Sequence, residues 1–505
     1  MKKAILICVA LFYFTPYSGW SQTKIQIIRS DTTDFVKAND GAQTYYLKGN
    51  VTLKQDVALM YCDSAVLYRA QNTFEAFGNV RVIQSDTVLI TGEELTYIGD
   101  QRTFTITENV VLKTPSSRLA TEVLKYDRNT STAYYLTRST LERQELRITS
   151  DVGNYNTEYE VVRLRGNVIA IDSAFKMTTD TLLYSPNKNK YSFAGPTELI
   201  RDSTLLYCSL GTYSADSTLL ELYGGAKMIA PNQYIETDSL YYFLNSDDGT
   251  LHGNAMVADS AEGFVLSSDF IDYKKSPVYV DAYKPVFYEQ SLDNDTIYAK
   301  GDSLKIRSEL DSSKIVHLFG STSFFSSDFQ GISPNFLFRE ATEELALYPS
   351  PTLWSGNSEF GADSTALKLE ADELDSLFML KDVTITTTTK DSLFYDQTTG
   401  TKLKGNFIDN TLKSVRIDGN AQALLHNVSE DGNIEGSNTS SCSWMKIQFQ
   451  EEALERIKMA RDVEALYTPI KSAVPEWLPG CQPAFELRPN KSSLTSPFTS
   501  SREQL

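Results

Sequence analysis

Apolar and polar residues alternate along most of the chain in a pattern that repeats every 29 residues. Tyrosine marks the repeat, usually with an aliphatic residue two positions earlier and an acid four positions earlier, as in Glu93-x-Leu95-x-Tyr97. Alternation at period two predicts a β-strand that presents the aliphatic residue and the tyrosine on one face. The tyrosines on this period are Tyr68, Tyr97, Tyr126, Tyr155, Tyr184, Tyr213 and Tyr242, and Tyr273 follows after 31 residues.

A glycine-asparagine pair is the second marker of the repeat. It occurs in Gly49-Asn50-Val51, Gly78-Asn79-Val80, Gly166-Asn167-Val168 and Gly253-Asn254-Ala255. Both residue types tolerate positive φ, so the pair predicts a turn that leads into a second alternating strand. Each 29-residue unit is therefore expected to supply at least two short strands separated by turns. After Tyr273 the spacing loosens, although Phe336-x-Phe338 keeps the alternation.

A repeat this short cannot bury its own apolar face, so successive units must stack. We expect each strand to pair with its equivalent in the next repeat. Roughly 13 units stacked about 4.8 Å apart predict one elongated domain about 60 Å long. The predicted fold class is all-β, an elongated β-solenoid-like coil of about 29-residue repeats. From periodicity alone, a sealed core is favoured over an open groove.

The chain divides into four predicted segments. Residues 1–21 have the basic start, short apolar run and small residues of a secretory signal peptide. Residues 22–430 form the repeat domain, and residues 431–474 form C-terminal strands or a cap of the same domain, with a short helix over residues 451–461 as an alternative. Residues 475–505 are rich in Pro, Ser and Thr, which predicts a disordered tail.

Export would place the cysteines in an oxidising compartment. Cys62 and Cys208 occupy nearly equivalent places in repeats five turns apart, so the stacking predicts that they do not pair. For Cys442 and Cys481, the sequence leaves open whether they form a disulfide.

The composition argues against several kinds of partner and functional site. The chain has 65 acidic against 47 basic residues, a net charge of -18, which argues against nucleic acid as a partner. Three histidines and five cysteines give little material for a metal site, a cofactor site or a catalytic triad, so none is expected. The recurring acids are interpreted as corner residues that accept backbone N–H groups, with calcium binding and glycosidase-type catalysis as alternatives.

The motifs resemble those of the OstA-like proteins of lipopolysaccharide export. The resemblance covers roughly residues 24–470, and its motifs are Leu47-Lys48-Gly49-Asn50-Val51, Gly78-Asn79-Val80, Cys62-Asp63-Ser64, Thr179-Asp180-Thr181-Leu182-x-Tyr184, Asp396-Gln397 and Gly419-Asn420-Ala421. It implies an open β-jelly-roll whose apolar groove shields lipopolysaccharide acyl chains. It also implies a non-enzymatic periplasmic carrier or bridge, peripheral to the outer membrane.

That family implies partners as well as a fold. The expected partners are lipopolysaccharide and the inner- and outer-membrane components of its export pathway, joined through strand addition. The predicted groove residues are the inward-facing apolar positions of the repeat: Val51, Leu53, Val80, Val82, Val110, Leu112, Val168, Leu182, Leu199, Met228, Leu240 and Val257. The alternatives are a sealed β-solenoid that acts as an envelope scaffold or adhesin, and a carbohydrate-active solenoid enzyme.

Overall fold

A computed structural model describes most of the chain from Lys24 to Pro497. The described ranges are 24–84, 87–292, 295–310, 313–370, 373–389, 393–408, 411–429, 434–450, 453–469 and 476–497. The predicted signal peptide, residues 1–21, lies outside them.

The described residues are almost entirely β-strand, which confirms the all-β class. They fall into two compact units: unit 1 runs to Ser173 and includes Asp180–Asn187, and unit 2 comprises Ala174–Thr179 and the chain from Lys188. This division falls inside the segment 22–430 that the repeat assigns to one domain.

The strands of unit 1 are short at the N-terminus and then mostly 10 to 13 residues long. They are β1 (Gln26–Arg29), β2 (Thr32–Lys37), β3 (Gln43–Gln55), β4 (Ala58–Tyr68), β5 (Thr73–Gln84), β6 (Val88–Ile98), β7 (Thr103–Lys113), β8 (Arg118–Asp127), β9 (Thr132–Tyr135), β10 (Ser139–Arg143), β11 (Leu146–Ser150), β12 (Val152–Asn156) and β13 (Val162–Ile171). Residues of β14 (Lys176–Ser185) belong to both units.

Unit 2 contains the remaining strands. They are β15 (Lys190–Arg201), β16 (Thr204–Ser214), β17 (Leu219–Ala230), β18 (Gln233–Phe243), β19 (Asp248–Asp259), β20 (Phe264–Lys274), β21 (Tyr279–Ser291), β22 (Thr296–Ser308), β23 (Lys314–Phe325), β24 (Gln330–Arg339), β25 (Glu344–Tyr348), β26 (Thr352–Ser355), β27 (Ser358–Gly361), β28 (Ser364–Glu370), β29 (Glu373–Thr388), β30 (Tyr395–Ile408), β31 (Thr411–Val428), β32 (Ile434–Gln450), β33 (Ala453–Ala460) and β34 (Glu464–Pro469).

Helices are few and short. The described residues contain 3-10 turns at Pro186–Lys188, Glu340–Thr342 and Phe485–Leu487, and one α-helix, α1 (Lys491–Leu494). None of these helices has the length and apolar character needed to cross a membrane.

Neighbouring strands pair antiparallel. In unit 1, for example, β5 pairs with β4 on one side and with β6 on the other. The expectation that each strand pairs with its equivalent in the next repeat is therefore wrong. The 29-residue unit is a hairpin of two long strands, so Tyr68 on β4 and Tyr97 on β6 are separated by β5. Antiparallel strands need only a short turn between them, whereas parallel neighbours would need a much longer crossover than the turns that flank β5.

The glycine-asparagine pair lies inside a strand instead of before it. In β5, Gly78 and Asn79 have φ of 74° and 47°, and the register with β6 shifts between Phe77 and Val80. This is a β-bulge, which bends the strand at its middle. Similar shifts recur in most long pairs, including β15–β16, β19–β20 and β23–β24. The prediction of short strands separated by this turn is therefore wrong, because one bent strand takes their place.

The acids of the repeat hold the bulges. Asp63 accepts a hydrogen bond of 2.8 Å from the side-chain amide of Asn79, and the next strand's Glu93 accepts from the Asn79 backbone N–H at 3.4 Å. The same amide-carboxylate pairing joins Asn50 to Asp31, Asn167 to Asp151 and Asn254 to Asp238 at 2.6–2.9 Å. This geometry agrees with the interpretation of these acids as structural, although the main donor is a side chain.

The column of tyrosines faces the interior, as the alternation predicts. Tyr97, Tyr126 and Tyr155 are at most 1% exposed, and Leu95 and Leu124 are buried beside the first two. Tyr68 is the exception, since Cys62, Ala65 and Leu67 take the inward positions of β4 and leave Tyr68 half-buried.

The two ends of the bent strands meet in unit 1 and are joined by hydrogen bonds. The Tyr97 hydroxyl donates to the Gln55 side chain, which lies 42 residues earlier at the end of β3. Arg128 then donates to the Tyr97 hydroxyl at 2.7 Å and to the Gln84 side chain at 2.8 Å. The Thr114 and Tyr155 hydroxyls lie 3.3 Å apart further along. We call this line of contacts the unit 1 seam, and it closes the fold over the apolar core.

The C-terminal segment differs from the expected disordered tail. Over residues 476–497 it lies across unit 2, with Cys481 and Leu494 each 1% exposed. The Leu478 N–H donates to the Gln397 side chain at 2.7 Å, and Arg488 donates to the Gln330 side chain at 2.7 Å. Composition predicts disorder for this segment in isolation, but here the strands of unit 2 supply its partners. We call residues 476–497 the C-terminal strap.

Candidate functional site

A cavity of about 600 Å³ lies in unit 2. Its interior is apolar and is lined by aliphatic and aromatic side chains, including Phe264, Ile297, Ile306, Val316, Phe336 and Phe338. Cavities of this size with mainly apolar walls are typical of sites for small molecules or acyl chains. We call it the unit 2 cavity.

The cavity forms because the two ends of the bent strands stay apart here. One wall, wall A, is formed by the start of β18, the end of β19, the start of β20, the end of β21, the start of β22 and the end of β23. The opposite wall, wall B, is formed by the end of β20, the start of β21, the end of β22, the start of β23 and the end of β24, together with β25, β28 and β29. The period-two alternation turns every second side chain of both walls into the gap.

The rim of the cavity is acidic. The carboxylates among the lining residues belong to Asp259, Glu262, Asp295, Asp328, Glu340 and Glu343, and the basic side chains among them belong to Lys275 and Lys314. Several of the acids also hold turns: Asp259 accepts from the Ala261 and Glu262 N–H groups, and Asp295 accepts from the Ser327 N–H. Six carboxylates against two ammonium groups leave the rim with a net negative charge.

Both lysines of the rim are engaged by carboxylates. Lys275 lies 2.5 Å from Asp247, and this hydrogen bond raises the pKa of Lys275. The Lys314 ammonium on wall B pairs with Glu262 on wall A, and the Lys314 backbone N–H donates to Glu340 at 2.6 Å. The Lys314–Glu262 pair therefore bridges the mouth between the walls.

Two tyrosines add further polar groups near the mouth. Tyr288 donates to the Gln290 side chain at 2.6 Å, and burial raises the pKa of Tyr288, with Glu262 and Glu340 adding to the effect. Burial also raises the pKa of Tyr273 on wall B, where the Gln233 side chain of wall A hydrogen-bonds to it. These groups are suited to orienting a polar head group.

Comparison with known proteins identifies the N-terminal part of the chain. A model of the OstA-like protein family matches residues 22–180. This segment is similar to the OstA-like proteins. The resemblance given by the repeat motifs is thereby confirmed over this range, which is 159 of the 505 residues. No curated protein sequence matches the chain.

The OstA-like family is a periplasmic, β-structured family associated with lipopolysaccharide transport. The unit 2 cavity lies outside the OstA-like segment, since its lining residues begin at Gln233. The hairpin repeat continues from the OstA-like segment through β15–β24 with the same bulges. The cavity is therefore built from the same kind of hairpin beyond the matched range.

The predicted groove residues are all buried. Each of the twelve is at most 3% exposed: Val51, Leu53, Val80, Val82, Val110, Leu112, Val168, Leu182, Leu199, Met228, Leu240 and Val257. None of them lines the unit 2 cavity. The first seven belong to the OstA-like segment, where the unit 1 seam closes over them. Their contact with lipid stays a prediction.

The sequence pattern does not predict the lining of the cavity. Phe336 and Phe338 stand out in the sequence only as a loosened copy of the repeat, yet both line the cavity. Two features of the sequence could have indicated the cavity. They are the change in repeat spacing after Tyr273 and the acids at the turns of the same region, such as Glu262 and Glu340. A change of repeat length alters where opposite strand ends meet, but alternation alone does not give the distance between them.

The described residues contain no group of three or more His, Cys, Asp or Glu side chains arranged to hold a metal ion. The described cysteines Cys62, Cys208, Cys442 and Cys481 are free and buried.

Proposed function

We propose that the protein is a periplasmic, non-enzymatic carrier or bridge that shields lipopolysaccharide acyl chains on their way to the outer membrane. The unit 2 cavity is the observation that supports this function, because it offers an apolar interior within a repeat fold of OstA-like type. Each methylene transferred from water into such a site contributes about 0.8 kcal/mol. Ten buried methylenes would thus supply about 8 kcal/mol, which is sufficient for reversible carriage.

The predicted groove residues extend this proposal to unit 1. Val51, Val82 and their equivalents would contact an acyl chain only after the unit 1 seam separates. Opening requires the hydrogen bonds of Arg128 and Tyr97 to break. In this proposal the unit 2 cavity holds lipid while the seam is closed, and unit 1 accepts it once the seam has opened.

The free sheet edges support partner binding by strand addition. Among the described strands β2 pairs with β3 alone, and Phe35 and Val36 on it are 51% and 52% exposed. At the other end β34 pairs with β32, and Leu466 is 66% exposed. Unpaired edges with exposed apolar side chains are suited to adding a strand from another protein. The proposed partners are the inner- and outer-membrane components of lipopolysaccharide export.

Photo-crosslinking in cells tests the proposal. A crosslinking residue at Phe338, which lines the cavity, is expected to capture lipopolysaccharide. The same residue at the adjacent Leu337, which points to the other face of β24, is the matched control and is expected to capture little. A crosslinker at Val82 reports whether unit 1 opens. Equal capture at Phe338 and Leu337, or capture only from surface positions such as Lys54, would contradict the carrier function.

A sealed envelope scaffold or adhesin is the second candidate. The closed unit 1 seam favours it, because the polar contacts along the seam leave the OstA-like segment with a covered core. This candidate predicts no lipopolysaccharide capture at Phe338 or Val82, so the same experiment separates the two functions.

A further inference from the structure

We propose that the unit 2 cavity selects lipids whose head group carries a positively charged amine next to the acyl chains. This inference rests on the carrier function proposed above and adds the chemistry of the head group. An apolar cavity fixes the chain end of an amphiphile inside, so the rim must contact the head group. The charge of the rim then decides which head groups bind.

The rim has more carboxylates than ammonium groups among its lining residues, so it favours cations. Carboxylates lie on both walls, with Glu262 and Asp295 on wall A and Glu340 and Glu343 on wall B. A head group held at the mouth therefore faces negative charge from two sides. A positively charged head group therefore binds more tightly at this mouth, and a negatively charged head group binds more weakly.

Among the described lining residues, neither basic side chain is available to an anionic head group. Lys275 is paired with Asp247, and Lys314 is paired with Glu262 while its backbone N–H donates to Glu340. A phosphate would have to displace one of these carboxylates before it gained an ammonium partner. An amine could instead bind a rim carboxylate outside these two pairs, such as Glu343, with no existing ion pair to break.

The carboxylates act on the interior as well as on the surface. The side chain of Tyr288 lines the cavity, and burial is the main cause that raises its pKa. The charges of Glu262 and Glu340 raise this pKa further. These two acids lie on opposite walls, so their fields add at the mouth. An unscreened phosphate beside the chains would meet this field, whereas an amine on the same head group would offset it.

Three probes with one chain length test the inference on the full chain. They are dodecylammonium, dodecyl maltoside and dodecyl phosphate, each titrated below its micelle concentration by calorimetry at low ionic strength. Dodecylammonium is expected to bind at least about tenfold more tightly than dodecyl phosphate, with the maltoside between them. Equal affinity for the three probes, or tighter binding of the phosphate, would overturn the head-group inference while leaving chain binding intact.

Two double variants show whether the rim is responsible. In Glu262→Gln/Glu340→Gln the Lys314 ammonium loses its partner, so the preference for dodecylammonium is expected to fall by at least about threefold. The control Glu145→Gln/Glu158→Gln removes two exposed carboxylates in unit 1, changes the net charge equally and should keep the preference. If both variants lower the preference equally, the effect is one of net charge and the inference fails. If no probe binds at all, the carrier function fails with it.

Discussion

At the scale of residues, the bulge is the feature that repeats most faithfully. Gly78 has φ of 74°, and a Cβ atom placed on it would lie 2.5 Å from the Asp63 carboxylate. Glycine is therefore required twice over, by the backbone conformation and by the close approach of the acid that accepts from Asn79. The acid excess of the sequence is partly explained by this requirement.

The substitution Gly78→Ala is expected to destabilise the protein by about 3 kcal/mol, because it adds a clash to the cost of a left-handed conformation. Gly41→Ala is the matched control in unit 1. Gly41 has φ of 86°, and a Cβ at this position would meet no atom within 4 Å, so only the conformational cost of about 1–2 kcal/mol is expected. Urea unfolding measures both, and equal losses would show that the acid is not held against the glycine.

At the scale of elements, one cross-strand row explains why the C-terminal strap is ordered. Gln330, Trp354, Glu359, Thr386 and Gln397 lie opposite one another on β24, β26, β27, β29 and β30. All five are buried, and none of them lines the unit 2 cavity. The strap covers this row, and it uses the polar members as hydrogen-bond partners, as Glu359 does for the Ala484 N–H at 2.8 Å.

The buried Glu359 in this row predicts that the stability of the folded protein depends on pH. Burial raises the pKa of Glu359, against the hydrogen bonds from Ala484 and Trp354. A carboxyl with a raised folded-state pKa binds its proton more tightly when folded. Its contribution to stability is therefore full below the ordinary glutamate pKa of about 4.3 and is lost as the pH rises through the folded-state pKa.

Glu359→Gln removes this titration and keeps an oxygen that can accept from both Trp354 and Ala484. The variant is expected to gain stability relative to the wild type as the pH rises from 4 to 8. Urea unfolding at several pH values checks this, with the exposed Glu373→Gln on β29 as control. A difference between Glu359→Gln and wild type that is constant over this pH range would contradict the prediction.

At the scale of the molecule, the two units are built from the same hairpin repeat but differ in whether their opposite strand ends meet. In unit 1 the strand ends are joined by Arg128, Tyr97 and their partners, so the core is covered. In unit 2 the strand ends around Glu262 and Lys314 leave a cavity of about 600 Å³.

The cysteines of both units are expected to stay reduced in the folded protein. Burial raises the pKa of Cys62, Cys208 and Cys481 to about 11, so only about one thiol in a thousand is a thiolate at pH 8. A thiol-exchange reagent should react slowly with the native protein and should count all four described thiols after unfolding in urea. A Cys442–Cys481 bridge found by mass mapping would contradict this prediction.

Much of the fold is predictable because alternation is a local property of the chain. The period-two pattern of Leu95 and Tyr97 places both side chains on the buried face of β6. The glycine-asparagine pairs mark the right positions for a change of backbone conformation, but the pattern predicts turns there and the structure has bulges. The direction of pairing is not predictable in the same way. A 29-residue period fits a coil of equivalent strands as well as a series of hairpins, and only the register of β5 with β4 and β6 decides between them.

The sequence by itself determined the all-β class and the inward face of most repeat strands, since both depend on neighbours within one repeat. The tertiary structure alone decided where the strand ends meet and where they stay apart. That outcome depends on residues far apart in the chain, such as Glu262 with Lys314 and Gln55 with Tyr97. It also decided that the strap is ordered, because the partners of Ala484 and Arg488 lie more than a hundred residues earlier.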